Sequence, residues 1–187
     1  MPGYVIHLAT AEEYLRKHES SITNHDEFID GVIFPDSEKD KSLTHYGRAS
    51  SEVNLYKFLN SVPTGNNFNK GYFLHLLTDY LFYNKYIDCF SSEMYHDYDV
   101  LNKPLIKKYK ISLPDKLKNN KFFSTTSTDS LKILSLDTVD NLIDEVSSYN
   151  LEDLEIEIKN NPQKWTKIRP LKIIPTHRKN EHSFIFN

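Results

Sequence analysis

The sequence predicts an all-α protein, a multi-helix bundle that ends in an extended tail, and three observations carry that prediction. Apolar residues recur at helical spacing in one segment after another, as with Phe28, Ile29, Val32 and Ile33. Glycine is scarce, 5 of 187 residues, which argues against a turn-rich all-β fold. The segment "KGYFLHLLTDYLFYNKY", Lys70 to Tyr86, is among the most apolar of the chain, yet it holds His75 and Asp79 four residues apart. An imidazole and a carboxylate buried in such a helix each need a partner.

The elements follow in order. A first helix lies within roughly Ile6 to His18, where Thr10 and Glu13 fit a capping box, or it begins earlier, after Pro2. A second runs from about Asn24 to Phe34 and is stopped by Pro35. After the polar loop "PDSEKDKSLTHYGRAS", a third begins near Ser50 or Ser51 and carries Val53, Tyr56, Phe58 and Leu59, until "VPTGNN" breaks the chain. The fourth, starting near Asn69, is the apolar segment with His75 and Asp79. A fifth spans about Ser92 to Tyr109, bent or restarted at Pro104.

In the C-terminal half, Val139, Leu142, Ile143 and Val146 keep helical spacing, and the Ser/Thr run from Ser124 to Ser130 reads as a cap for the next helix. Asn150 caps another helix through Leu154 and Ile158, although "LEIEIK" also alternates with period two. The final "WTKIRPLKIIPTHRKNEHSFIFN" reads as an extended tail wrapping the helical body, with a short strand or hairpin as its option. The whole forms a single helical domain, residues 1–187: a core over 1–110, additional helices over 111–162 and the tail over 163–187.

Composition excludes several classes. A net charge of −3 and a pI near 6.2 leave no electrostatic footprint for duplex nucleic acid, though a small phosphate-bearing substrate remains compatible. Cys89 is the only cysteine, which rules out an intramolecular disulfide and a thiolate zinc site and reads as a small buried thiol. The start lacks the basic and apolar regions of a secretory signal, and no segment reaches the ~18–20 apolar residues of a membrane span. These features predict a soluble, cytoplasmic protein.

The chemistry centres on histidine and aspartate. His75 and Asp79, at i and i+4, project from one helical face and either grip one metal ion together or hydrogen-bond to each other. Asp36 follows Pro35 at a helix exit, His45 lies nine residues later on the same loop, and His7 stands alone among apolar neighbours in "YVIHLA". His7, Asp36, His45, His75 and Asp79 thus make a nitrogen and oxygen ligand set suited to zinc, with iron or manganese as alternatives. His18, His25, His177 and His182 stand among polar residues and read as solvated.

The succession "FIDGVIFPDS", "THYG", "GYFLHLLTDYL" resembles the small bacterial relatives of zinc-dependent phospholipase C, a superfamily that includes the single-strand-specific zinc nucleases. The resemblance covers roughly residues 1 to 110. It implies an all-α fold with clustered zinc that cleaves phosphate esters, acting on a small phosphate ester or a lipid headgroup. Carried onto this chain, it implies that Asp36, His45, His75 and Asp79 hold one ion, while His7 and a bridging Asp79 hold a second. The departures are plain: Met1 and Pro2 precede His7 with no signal to be removed, and no HxxxE follows Asp79, where only Glu93, His96, Asp97 and Asp99 are on offer. One ion or a reduced two-ion site is therefore expected.

For a phosphoesterase, Asp36 is either a ligand or the base that orients the attacking water. Arg48 either reaches a phosphate oxygen or is a surface charge, and Tyr72 either lines the pocket or belongs to the core. Two alternatives stand beside this reading. An HD-type phosphohydrolase would use the adjacent pairs His25-Asp26 or His96-Asp97. A non-enzymatic helical protein would hold a structural ion or a buried His/Asp network.

Overall fold

A computed structural model of the chain describes residues 2–114, 117 and 129–175. The chain folds as a multi-helix bundle in which the described strands amount to a two-stranded sheet. The helices are α1 (Tyr4–Lys17), α2 (His25–Ser37), α3 (Leu55–Ser61), α4 (Asn67–Leu81), α5 (Glu93–Tyr109), α6 (Leu136–Ser148), α7 (Leu151–Asn160) and the short α8 (Pro162–Trp165). No helix among the described residues is long and apolar enough to cross a membrane.

Capping chemistry sets most of the helix starts. The side chains of Asn24, Asn54, Asn66, Ser135 and Asn150 each accept a backbone N–H from the first turn of the helix that follows. Each such cap is worth about 1 kcal/mol. The cap of α6 is Ser135 rather than the Ser124–Ser130 run, of which residues 124–128 lie outside the described residues. Thr10 is no cap either. It sits inside α1, which begins just after Gly3, and its hydroxyl donates to the Ile6 carbonyl four residues back.

Three boundaries differ from the sequence reading. Pro35 does not stop α2 but lies in its last turn, where the lost N–H leaves only one carbonyl without its helical donor. The third helix starts later than Ser50: residues Ser50–Glu52 make a 3-10 turn, and α3 begins at Leu55 behind Asn54. α5 runs unbroken through Pro104. α7 takes the helical reading of "LEIEIK", with Leu151, Leu154 and Ile158 buried along one side.

α4 is the central element. From Gly71 to Leu81 every residue is buried, so the helix is enclosed all round rather than amphipathic. It packs hardest against α2, and two glycines set the spacing. A Cβ on Gly31 would stand 1.9 Å from the Phe68 carbonyl oxygen, and one on Gly71 would stand 2.0 Å from that of Phe28. The two backbones approach to a distance that no side chain permits, and each glycine gives up about 1 kcal/mol of helix propensity for it. α1 lies across α2 and α4 and is flanked in turn by α5 and α6, while α7 and α8 pack on α3.

α4 ends in a π-helical turn, Phe82–Tyr86, closed by the Ile87 N–H on the Phe82 carbonyl at 3.1 Å. The chain then forms β1 (Cys89–Phe90), which pairs in parallel with β2 (Lys172–Ile173). Thus the tail contributes a short strand, anchored by buried Trp165 and by the Arg169 N–H on Asn84 Oδ1. Cys89 is only half-buried. Residues 176–187 of the tail lie outside the described residues.

Candidate metal centre

Four separate segments deliver five side chains to one point. α1 supplies His7, the last turn of α2 supplies Asp36, the loop before α3 supplies His45, and α4 supplies His75 and Asp79. None is more than 1% exposed. His7 Nε2 lies 3.5 Å from Asp79 Oδ1, while His45 Nε2 and His75 Nε2 lie 3.0 and 3.7 Å from Asp79 Oδ2. The same two nitrogens stand 3.8 and 3.9 Å from Asp36 Oδ1.

These separations fit ligands around a cation better than hydrogen-bonded pairs. At metal–nitrogen distances of 2.0–2.1 Å, the corners of a tetrahedron lie about 3.3 Å apart. The 3.0 Å approach of His45 to Asp79 lacks the alignment of a hydrogen bond, and both carboxylates keep both oxygens without a hydrogen-bond partner. The donor atoms fall into two sets, His7, His75 and Asp79 in one and Asp36, His45 and His75 in the other, each within 4.8 Å. Asp79 turns one oxygen toward His7 and the other toward His45 and His75, the disposition of a bridging carboxylate.

The surroundings fix which ring nitrogens point inward. His75 Nδ1 lies 2.7 Å from the Val32 carbonyl, which only accepts, so Nδ1 carries the proton and Nε2 offers a lone pair. Around His45, the Thr44 hydroxyl donates to the Pro35 carbonyl at 2.9 Å and lies 3.0 Å from His45 Nδ1. A hydroxyl has one proton, so both bonds are made only when His45 Nδ1–H donates to Thr44 Oγ1. That again leaves Nε2 as an acceptor. The Tyr72 hydroxyl, buried against this loop, donates to the Thr44 carbonyl and holds the loop on α4.

The result is a pocket of acceptors facing acceptors. His75 is held well below its ordinary value by burial first, then by His7 and His45, with Asp79 pulling the other way. The rings of His7 and His75 stack at 3.8 Å and 8°, where two imidazolium ions would repel. An ionised carboxylate beside neutral imidazoles is the protonation state that binds metals. The donor set of imidazole and carboxylate fits zinc, iron or manganese.

One cation does reach the cluster. Lys41 Nζ lies 3.2 Å from Asp36 Oδ1 and donates to the Asp36 main-chain carbonyl at 3.0 Å. Sequence reasoning overlooked Lys41 and Thr44. Thr44 directly precedes His45 and offered a local signal, whereas nothing in the spacing marks Lys41. Arg48 lies elsewhere: its guanidinium is bound by Glu52 at 2.7 and 2.9 Å, and its side chain is 89% exposed. Lys70 is engaged by Glu152 and the Ser21 carbonyl.

The adjacent His-Asp pairs sit apart from the centre. His25 and Asp26 are exposed at the start of α2. Asp97, on α5, spends both oxygens on the backbone N–H groups of Lys132, Ile133 and Leu134, and His96 lies 3.9 Å from Asp129. His18 is not simply solvated, since its Nε2 is 3.0 Å from the Ser147 carbonyl and its ring stacks on Tyr14. His177 and His182 lie outside the described residues.

A cleft of about 280 Å³ is lined by Tyr4, Asp30, Ile33, Phe34, Ser37, Phe68 and Leu117, none of them a member of the cluster. Tyr4 lies one turn before His7, and Ser37 follows Asp36. Burial, then the charge of Asp36, raises the Tyr4 phenol above its ordinary value, which keeps it protonated. In comparisons with protein-family models, curated proteins and solved structures, nothing matches this chain.

Proposed function

We propose that the chain is a metal-dependent hydrolase of phosphate esters, with His7, Asp36, His45, His75 and Asp79 holding one or two zinc ions, or iron or manganese. The observation that carries the metal is the unsatisfied cluster: four carboxylate oxygens and the inward Nε2 atoms of His45 and His75, buried without hydrogen-bond partners. Leaving so many polar atoms unpaired costs several kcal/mol in a folded protein unless a cation compensates them. The hydrolytic step rests on the donor set and on the resemblance of the "FPDS", "THYG" and HxxxD segments to the phospholipase C and zinc nuclease superfamily.

A bound divalent ion would supply Lewis acidity, making water a nucleophile near neutral pH and steadying charge on a phosphoryl oxygen. The chain's own groups do the rest. Val32 and Thr44 hold the two imidazoles in the ligating tautomer. His75 is common to the two donor sets, and Asp79 turns one oxygen toward His7 and the other toward His45 and His75. Asp36, the cluster carboxylate paired with Lys41, would complete the ligand set.

The burial of the five ligands favours a second reading, a structural ion in a closed sphere, since catalytic zinc keeps a position open. The two separate in one experiment. Metal-loaded protein is incubated with bis(p-nitrophenyl) phosphate, and release of nitrophenolate is followed. Turnover that disappears when the ion is stripped by a chelator and returns when it is restored supports the hydrolase. Full loading with no turnover, and a large rise in thermal stability, supports the structural ion.

A further inference from the structure

We propose that Lys41 is the anion-binding residue of this centre: it neutralises Asp36 in the metal-free chain and turns to a phosphate oxygen once an ion has taken Asp36. This inference rests on the metal-centre reading and names the cation that reading otherwise lacks. Among the described residues, Lys41 is the lysine or arginine whose charge lies within 4 Å of a carboxylate of the cluster. Its side chain is 19% exposed while that of Asp36 is fully buried, so it spans the distance from solvent to the centre.

The local fold aims it there. Lys41 opens a 3-10 turn, Lys41–Leu43, whose cap is Asp40, bonded to the N–H and hydroxyl of Ser42. The Lys41 carbonyl accepts the N–H groups of Thr44 at 3.2 Å and His45 at 2.8 Å. One turn therefore carries a ligand on its exit and an ammonium on its entry, and both face Asp36. The lysine is flexible, and its ammonium, which carries three N–H donors, meets Asp36 at Oδ1 and at the main-chain carbonyl.

Charge decides the rest. Two ionised aspartates and Lys41 leave the metal-free centre with a single net negative charge when the imidazoles are neutral. One divalent ion makes the whole positive, and the freed ammonium becomes unpaired at the mouth of a buried site. An oxyanion such as phosphate then answers both charges. A lysine that merely filled space on this turn would give neither of the two opposed effects that follow.

The test uses the full chain loaded with cobalt(II), comparing wild type with Lys41→Met, Lys41→Gln and Lys41→Arg. Metal affinity is read by competition with a chromogenic chelator. Inorganic phosphate is then titrated and followed by calorimetry and by the cobalt visible bands. The proposal expects both neutral variants to bind the metal more tightly, because the competing ammonium is gone. It expects them to bind phosphate at least about tenfold more weakly, the loss of one charge-assisted hydrogen bond, with Lys41→Arg close to wild type. Unchanged phosphate affinity in the neutral variants, or no phosphate binding by metal-loaded wild type, overturns the role of Lys41 while leaving the metal centre standing. If neither wild type nor the variants take up metal, the centre and the inference both fall. Metal uptake by the neutral variants alone supports Lys41 as the competing cation.

Discussion

Two buried carboxylate sites in this protein are treated in opposite ways. Asp97 is fully buried and receives three backbone N–H groups, from Lys132, Ile133 and Leu134, at 2.8, 2.7 and 2.8 Å. Asp36 and Asp79 are equally buried, yet none of their four oxygens has a hydrogen-bond partner; imidazole lone pairs face them, and the cation in reach is Lys41, paired with Asp36 alone. The first is what a folding protein does with a carboxylate that serves structure: it pins a turn and satisfies every lone pair it can. The second is stable only with a positive charge between the groups. The contrast separates a carboxylate that holds the fold from two that the fold holds in readiness.

That comparison can be broken by substitution. Asp97→Ala leaves three backbone N–H groups without acceptors, that of Leu134 buried and those of Lys132 and Ile133 part-buried, and denaturant unfolding should show a loss of about 2–4 kcal/mol with metal uptake unchanged. Asp79→Asn should do the reverse. It removes an uncompensated buried charge, so metal-free stability shifts by less than about 1 kcal/mol, or rises, while metal uptake is abolished. Equal destabilisation by both variants, with metal uptake unaffected in either, would erase the distinction.

Smaller effects sharpen it. Thr44→Val removes the acceptor that fixes the His45 tautomer, and metal affinity measured by chelator competition should fall about 10–100-fold. Thr44→Ser, which keeps the hydroxyl, should restore most of it. The pH dependence has a definite sign. Because His75 in the folded metal-free chain lies well below its unfolded value of 6.5, the unfolded chain takes up a proton that the folded one refuses. Its contribution is intact above pH 7 and is lost as pH falls through 6.5, by up to about 1.4 kcal/mol per pH unit. Urea unfolding of metal-free protein at pH 5 and pH 7 checks the His75 effect, and stability independent of pH there would contradict it. Smallest of all, Arg48→Ala should leave the urea unfolding midpoint and metal uptake unchanged, since its pair with Glu52 is exposed.

Much of the fold was legible because helical periodicity and cap residues are local signals. Asn24 and Asn150 announced α2 and α7, and the spacing of Val139, Leu142, Ile143 and Val146 announced α6. Pro35 misled because tertiary packing carries a helix through a single missing N–H, and α5 likewise continues past Pro104 without a restart. The close crossing of α2 and α4 was invisible, since Gly31 and Gly71 look like ordinary helix defects until the partner backbone is seen.

At the candidate centre, the pairing of His75 with Asp79 was readable from i, i+4 spacing. The convergence of His7, Asp36 and His45 on that pair needed the bundle, although their apolar or constrained settings singled them out. What the sequence could not hold was orientation: the Val32 carbonyl and the Thr44 hydroxyl that turn two Nε2 atoms inward, and the reach of Lys41 across its own turn. Arg48, chosen for its nearness in sequence to His45, points to Glu52 instead.

The central claim is that a metal ion compensates the buried His/Asp cluster. The most direct measurement is elemental analysis of the purified chain beside a His75→Ala and Asp79→Ala double variant, each before and after loading with zinc, iron or manganese. The account predicts about one or two ions per chain in the wild type and none in the variant. A folded wild type that carries no metal and takes up none when ions are added would contradict it.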